Sequence, residues 1–315
     1  MKKLVALTLT LMMLLSLCAG AMAEWTPTKE IEVIIPFSPG GGSDLLNRKL
    51  MEHIDLPVEM VSTYVEGGAG LLGAQECANS DPDGYTILAH NPMNLIGQGL
   101  TANKDLWKEL ELIAFVVDDW TVISTNKETG WTTMQDAIDY GKANPGAIKW
   151  GCTGNGITMT DSYRAMTGSG FEANIIPYDG GSATRSALLG NHIQLETSTS
   201  SDVAAYVKSG DVIPLAVVGT VRCPSLPEVP TLIELGINVD TGAPRAYYAP
   251  PATDPEAIAY LEAAIKATCE SEKFVAECAE MGYVVSFVGA EEGTARMNDW
   301  FESNLQVYKD LGLIQ

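Results

Sequence analysis

Short apolar runs ending in glycine-rich turns recur along the chain, each followed by a stretch with helical spacing. Ile31-Glu32-Val33-Ile34-Ile35-Pro36 predicts a β-strand, and Phe37-Ser38-Pro39-Gly40-Gly41-Gly42 a backbone-permissive loop. Ser43-Asp44 suits a helix N-cap before a helix over 45–54. A second strand over 58–65 runs into Gly67-Gly68-Ala69-Gly70 and a helix over 71–79; Pro82-Asp83-Gly84 then turns the chain into a strand over 85–89. The series restarts with a strand over 120–125 and a helix over 133–143, stopped by Asn144-Pro145-Gly146. Strands over 148–150 and 175–177 each lead into a glycine-containing loop and a helix, an apolar strand covers 212–219, and helices cover 255–270, 272–281 and 291–311. Such alternation predicts an α/β fold of parallel sheets with helices on both faces. Two such series predict two lobes, with a ligand cleft beyond the carboxyl ends of the strands.

The start of the chain adds a compartment. Met1-Lys2-Lys3, an apolar run over 4–17 and Ala21-Met22-Ala23 form the three parts of a secretory signal peptide, with cleavage after Ala23. The run is shorter than the ~20 apolar residues of a membrane anchor. Cys18 follows Leu17, where lipoprotein processing prefers a small residue, so a free exported protein is expected rather than a lipid-anchored one. Of 315 residues, 40 are acidic and 19 basic; cleavage removes Lys2 and Lys3 and no acid, leaving 17 against 40, a net charge of −23. That charge excludes a general nucleic-acid binder, whose affinity rests on Lys and Arg neutralising phosphates, and disfavours an anionic membrane surface. It also repels anionic ligands at long range.

The chemistry-bearing residues are sparse. Cys77, Cys152, Cys223, Cys269 and Cys278 form an odd set without C-x-x-C. Cys269 and Cys278 could bridge, but free buried thiols are the expectation. His53, His90 and His192 are scattered, so no metal and no cofactor are expected. Gly68-Ala69-Gly70-Leu71-Leu72-Gly73 matches G-x-G-x-x-G, but the next strand ends in His90-Asn91 rather than a ribose-binding acid. The loop over 39–44 lacks the Gly-Lys-Ser/Thr ending of a P-loop. Hydrolase and protease motifs are absent, and Asp83, Asp179 and Asp202 are not placed together by any spacing. Asp83 reads as a turn residue. What remains is anion capture by backbone N–H groups at glycine loops and helix starts, a mode that needs no Arg. Four such loops in equivalent positions favour it over four ordinary tight turns.

The chain resembles the extracytoplasmic solute-binding receptors of the tripartite tricarboxylate transporter family, the Bug-type receptors. The resemblance rests on six motifs in family order: Ile35-Pro36-Phe37-Ser38-Pro39-Gly40-Gly41-Gly42-Ser43-Asp44; Gly68-Ala69-Gly70 with Gly73-Ala74; Pro82-Asp83-Gly84-Tyr85-Thr86; Asn144-Pro145-Gly146 with Gly154 and Gly156; Pro177-Tyr178-Asp179-Gly180-Gly181 with Leu188-Leu189-Gly190; and Leu226-Pro227-Glu228-Val229-Pro230-Thr231 with Glu234 and Gly236. It implies a two-lobed, type II periplasmic binding protein-like fold with a hinged cleft. A first lobe over 24–124 and 239–315 and a second over 125–238 are expected. The first-lobe site implied is Phe37, Pro39, Gly40, Gly41, Gly42, Ser43, Asp44, Gly68 and Ala69. The second-lobe site is Thr153, Gly154, Thr158, Asp179, Gly180, Ser198 and Thr199. The implied function is non-catalytic capture of a small mono-, di- or tricarboxylate by a periplasmic monomer and delivery to membrane permease subunits. Presentation to a sensor, or a secreted α/β hydrolase, are the alternatives. Val65 and Gly67 stand where many relatives have Asn and Pro, and Thr199 where Asn is frequent. Arg245 is either a cation at the site or half of a structural salt bridge.

Overall fold

The computed structural model describes residues 25–315, apart from 103–105, 155 and 240 and the side chains at 69 and 303. The signal peptide, its cleavage site, Cys18 and Asn155 in the 153–158 stretch lie outside the described residues.

The first lobe begins β1 (Ile31–Ile35), α1 (Gly42–His53), β2 (Met60–Tyr64), α2 (Leu71–Ala78), β3 (Thr86–His90), α3 (Pro92–Ala102), α4 (Leu106–Glu109) and β4 (Glu111–Asp118). The second lobe follows as β5 (Thr121–Asn126), α5 (Met134–Ala143), β6 (Ile148–Thr153), α6 (Ile157–Ser169), β7 (Ala173–Tyr178), α7 (Gly181–Leu189), β8 (Leu195–Thr199), α8 (Ser200–Ser209) and β9 (Val212–Val218). The chain then returns to the first lobe with β10 (Arg245–Ala249), α9 (Pro255–Cys269), α10 (Glu272–Glu280), β11 (Val284–Gly289) and α11 (Ala290–Asp310).

The first sheet has the order β11-β4-β10-β3-β1-β2 and the second β7-β6-β8-β5-β9. Both are mixed, which corrects the expectation of parallel sheets. β10 runs antiparallel between β3 and β4, β11 is antiparallel to β4, and β5 is antiparallel to both β8 and β9. The reversals arise where the chain changes lobes, because a crossing strand enters each sheet without a preceding crossover helix. The passage out lies between Asp118 and Thr121, so the expected division at 124/125 falls inside β5. On the return, Val239 still packs in the second-lobe core and Ala243 in the first. The two passages touch: Ala243 N–H donates to the Asp119 carbonyl at 3.0 Å.

Covering on both faces explains why β1 is apolar at every position but Glu32. Ile31, Val33 and Ile35 pack with Leu46 and Leu50 of α1, Leu261 of α9 and Phe274 of α10. Ile34 points the other way, toward Ala74 of α2, Leu95 of α3 and Met297 of α11. In the second lobe, Ile123, Trp150, Ala137 of α5 and Ala165 of α6 share one core, and Val122 meets Val203 of α8 behind the sheet. Pro177 and Pro214 sit in β7 and β9, the two edge strands, where a missing N–H is tolerated. α5 starts at a capping box between Thr133 and Asp136. All five described cysteines are free and buried. Burial pushes the thiols of Cys77, Cys152, Cys269 and Cys278 up to about 12.

Candidate ligand-binding site

A cavity of about 420 Å³ opens between the lobes, lined from the first lobe by the segments that leave β1, β2 and β3 and from the second by those that leave β6, β7 and β8. All six are carboxyl ends of strands, so loops, helix starts and backbone N–H groups converge there. Arg245 reaches the same edge from an antiparallel strand: its neighbour Ala246 pairs with His90 at the end of β3.

Ten of the sixteen expected site residues line this cavity: Phe37, Gly41, Gly42, Ser43, Gly68, Thr153, Thr158, Asp179, Gly180 and Thr199. α1 starts at Gly41, which makes no side-chain cap. The N–H groups of Gly42 and Ser43 thus belong to the first helical turn, where no intrahelical acceptor exists. The close packing at Gly42 explains the absence of a side chain: a Cβ there would stand 2.9 Å from the Tyr283 hydroxyl and 3.2 Å from Arg245 Nη2. Gly68 opens a single 3-10 turn, Gly68–Gly70, with left-handed φ at Gly68 and Gly70. Beneath it lies His90, whose Nδ1 faces the Asn91 carbonyl at 3.0 Å. Burial lowers His90 to about 4, so the ring under the loop is neutral at ordinary pH.

Five of the others stand elsewhere, each for a local reason, and the side chain of Ala69 lies outside the described residues. Asp44 is buried and braces its own loop, accepting from Gly40 N–H at 2.8 Å, Tyr64 Oη at 2.8 Å and Arg48 Nε at 2.9 Å. Burial opposes its charge, but these donors win and hold the carboxyl below its ordinary value. Gly40, at φ 81°, spends its N–H on that bond, and Pro39 is exposed at the loop apex. The backbone of Ala69 lies in the 3-10 turn. Gly154 donates to the Tyr178 carbonyl at 2.7 Å and lines a separate recess. Ser198 is buried within β8, which alternates its side chains and gives the cavity to Thr199 instead. Thr158 does reach the cavity, yet its hydroxyl accepts from Thr153 N–H and donates to the Thr153 carbonyl, at 2.9 and 3.0 Å. It shapes the loop as well as lining it.

Both readings of Arg245 hold. The guanidinium pairs with Asp119 at 3.1 Å, donates to Ser43 Oγ at 3.2 Å and Thr199 Oγ1 at 3.3 Å, and still borders the cavity. Burial works against its charge, and nearby Tyr283, Asp119 and Asp202 more than restore it. Asp119 in turn accepts from Ser200 Oγ and Ser201 Oγ, each at 2.6 Å, and from Ser201 N–H at 3.2 Å. One carboxylate on the outgoing passage thereby caps α8 of the second lobe and holds the Arg at the start of β10. Arg245 carried one sequence signal, as the sole basic residue between Arg222 and Lys266.

Asn91 and Asn94 were missed, because nothing in His90-Asn91-Pro92 announces a helix that faces the cleft. Asn91 Nδ2 donates to the Pro244 carbonyl at 2.9 Å. Asn94 crosses the cleft: its Oδ1 accepts from Ile157 N–H, at the start of α6, at 3.2 Å. Gly156 makes that crossing possible, since a Cβ there would fall 1.7 Å from Asn94 Oδ1. Asp83 acts in its turn, accepting from Tyr85 N–H at 3.1 Å. Glu52, His53 and Glu277 gather outside this cavity, where Lys49 already pairs with both carboxylates, at 2.6 Å from Glu52 and 2.8 Å from Glu277.

Comparison with known proteins agrees with this architecture. BugT of Bordetella pertussis is 29% identical over 278 residues, covering 84% of each chain. The structure of the periplasmic binding protein BugD superposes with a TM-score of 0.83 at 24% identity, over 91% of this chain and 99% of that one. R. palustris Rpa4515 with adipate also superposes at 0.83, with 22% identity over 91% and 98% of the two chains. The fold is that of a type II-like periplasmic solute-binding protein. The model of the tripartite tricarboxylate transporter family receptor, TctC, matches residues 50–312. The chain belongs to that receptor family, whose members bind solutes and are not enzymes.

Proposed function

We propose that this protein is an exported receptor that closes its two lobes on a small organic acid and delivers it to a membrane permease of the tripartite tricarboxylate type. The observation that carries the reading is the cavity itself. Two glycine loops and a helix start from one lobe, and a buried Arg, face the loops of the other lobe across a space of about 420 Å³. Backbone N–H groups and the partial positive charge of a helix start suit a carboxylate. The adipate in a structural neighbour of the same family fold supports an acid of this size. The signal-peptide pattern at 1–23 supports a periplasmic location, where the protein acts as a monomer.

Closure follows from where the contacts lie. A ligand that touches both lobes completes its contacts only in the closed state and so shifts the population toward it. Driving a 1:99 equilibrium to 99:1 takes about 5.5 kcal/mol of differential binding. Two to four charge-assisted hydrogen bonds at roughly 1.5–3 kcal/mol each supply that. Thermal-shift titration against mono-, di- and tricarboxylates and neutral solutes tests the reading, because a ligand that binds only the folded state raises apparent stability. Gly41→Val abolishes the response: φ at Gly41 is −76°, which valine adopts, while its Cβ would stand 3.3 Å from the Ser38 carbonyl oxygen and its branches would occupy the cavity wall that Gly41 forms. Thr158→Val removes the brace on the 153–158 loop with the same result. Wild-type titrations from both variants sink the site. Co-purification of the permease with ligand-loaded receptor separates transport from presentation to a sensor.

A further inference from the structure

Charge within the cleft narrows the ligand beyond the word acid. Among the described residues that line the cavity, Arg245 is the one cation, and its charge is already met by Asp119 at 3.1 Å. Three carboxylates share the lining: Glu66, Asp179 and Asp202. Glu66 stands at the exposed rim, where it accepts from Ser38 Oγ at 2.5 Å. Asp179 and Asp202 face the space from the second lobe, on either side of the Gly180–Gly181 loop; Asp202 Oδ2 lies only 2.9 Å from where a Cβ of Gly181 would be. Arg185, whose field Asp202 shares, is committed to the buried carboxylate of Glu196. The first lobe therefore offers N–H groups and an Arg, while the second offers two carboxylates and, among the described residues, no lining cation of its own, although Asp202 also shares the fields of Arg185 and Arg245. A plain di- or tricarboxylate would bring a second anionic end against Asp179 and Asp202, a like-charge juxtaposition that selects against it.

We propose that the ligand is zwitterionic: a small carboxylic acid that also bears a protonated amine, with its carboxylate on the glycine loops and Arg245 of the first lobe and its ammonium between Asp179 and Asp202 of the second. The inference rests on carboxylate capture at this cleft and specifies what the far end of the ligand carries. It also eases how so acidic a protein takes up an acid, since the ammonium cancels one unit of the negative charge that the long-range field repels.

The test uses pairs of ligands that differ by the amine: aspartate against succinate, glutamate against glutarate, and 6-aminohexanoate against hexanoate, each titrated calorimetrically into the mature chain. The expected result is at least tenfold tighter binding of the amino member in one or more pairs. Asp202→Asn and the exposed Asp179→Asn should each cut that preference severalfold, leaving or improving the affinity for the amine-free partner. Tighter binding of an amine-free member overturns the zwitterion while upholding carboxylate capture. So does an equal loss for both members in the two Asp variants. Binding by no member of any pair overturns both the inference and the reading beneath it.

Discussion

Gly156→Ala isolates the contact between the lobes from the stability of each. The backbone at Gly156 has φ −95°, on the side that other residues adopt, so the main penalty is crowding across the cleft. The added Cβ would lie 1.7 Å from Asn94 Oδ1, 2.5 Å from Asn94 Cγ and 2.9 Å from Asn94 Cα. Turning the amide away removes the first two clashes but not the third, because comfortable carbon contacts begin near ~3.5 Å. The cleft must widen by over half an ångström there, and the Ile157 N–H loses its acceptor. A lost hydrogen bond of about 1 kcal/mol and overpacking at the low end of roughly 1–3 kcal/mol place the closed state about 2 kcal/mol higher. The open state bears none of this. Apparent affinity for an acid that the wild type binds should therefore fall roughly 30-fold, while the melting temperature without ligand stays within a degree or two of wild type. Asn94→Ala, which only forfeits the hydrogen bond, should cost roughly fivefold. Calorimetric titration reads the affinities, and small-angle scattering at saturating ligand reads the closure. Wild-type affinity and wild-type compaction in Gly156→Ala would show that these groups do not meet in the bound state.

Three further outcomes follow from buried groups. Arg245→Met should lower stability by about 3 kcal/mol in chemical denaturation, because Asp119 is left buried with only its serine donors; a loss below 1 kcal/mol contradicts the pairing. Asp161 is pushed up to about 6 by burial, despite hydroxyl donors from Thr121 and Thr241. The folded state thus holds this proton more tightly than the unfolded chain, for which 3.8 is the ordinary value. The associated stability is complete below pH 4 and lost as pH rises through 6. Asp161→Asn should gain on the order of 2 kcal/mol relative to wild type between pH 4 and pH 7.5, and a pH-independent gap would refute this. Cys77, Cys152, Cys269 and Cys278 should resist a disulfide-exchange reagent at pH 8 in the native protein and react once it is unfolded, as thiols raised to about 12 require; rapid native labelling of any of the four would contradict their burial.

What the sequence exposed and what it hid divide along physical lines. Elements with local punctuation were legible: Thr133 with Asp136 for α5, Pro255 after Asp254 for α9, and the glycine loops that end β1 and β2. β4 was missed although Glu111-Leu112-Ile113-Ala114-Phe115-Val116-Val117 is strongly apolar, since no turn signal frames it on both sides, and β11 was missed although Gly282 precedes it and Gly289 ends it. β10 was missed because Arg245 and two tyrosines do not look like the centre of a sheet. Strand direction was legible where helices link neighbouring strands, as the parallel pairing of β1 with β2 and β3 and of β6 with β7 and β8 shows, and invisible at β5 and β10, where the chain changes lobes. In the site, glycines and their neighbours were found because their backbone demands are written in residue type. Asn94 against Gly156 and Asp119 against Arg245 were not, because those pairs are 62 and 126 residues apart and meet only after both lobes have formed.

The placement of β10 has a consequence for how the molecule assembles. Residues 31–118 contain two strand groups, β2-β1-β3 and β4, that share no hydrogen bond until 245–249 is inserted between them. The second sheet is complete by residue 218, whereas in the first more than a hundred residues of chain separate the end of β4 at Asp118 from β10 at Arg245, which closes it. Loop closure over such lengths is slow, and open strand edges invite mispairing meanwhile. The order of events written into the topology is thus that the inserted lobe folds first and the lobe with the chain's beginning folds last. A chain truncated before Arg245 would keep one lobe and leave the other in halves.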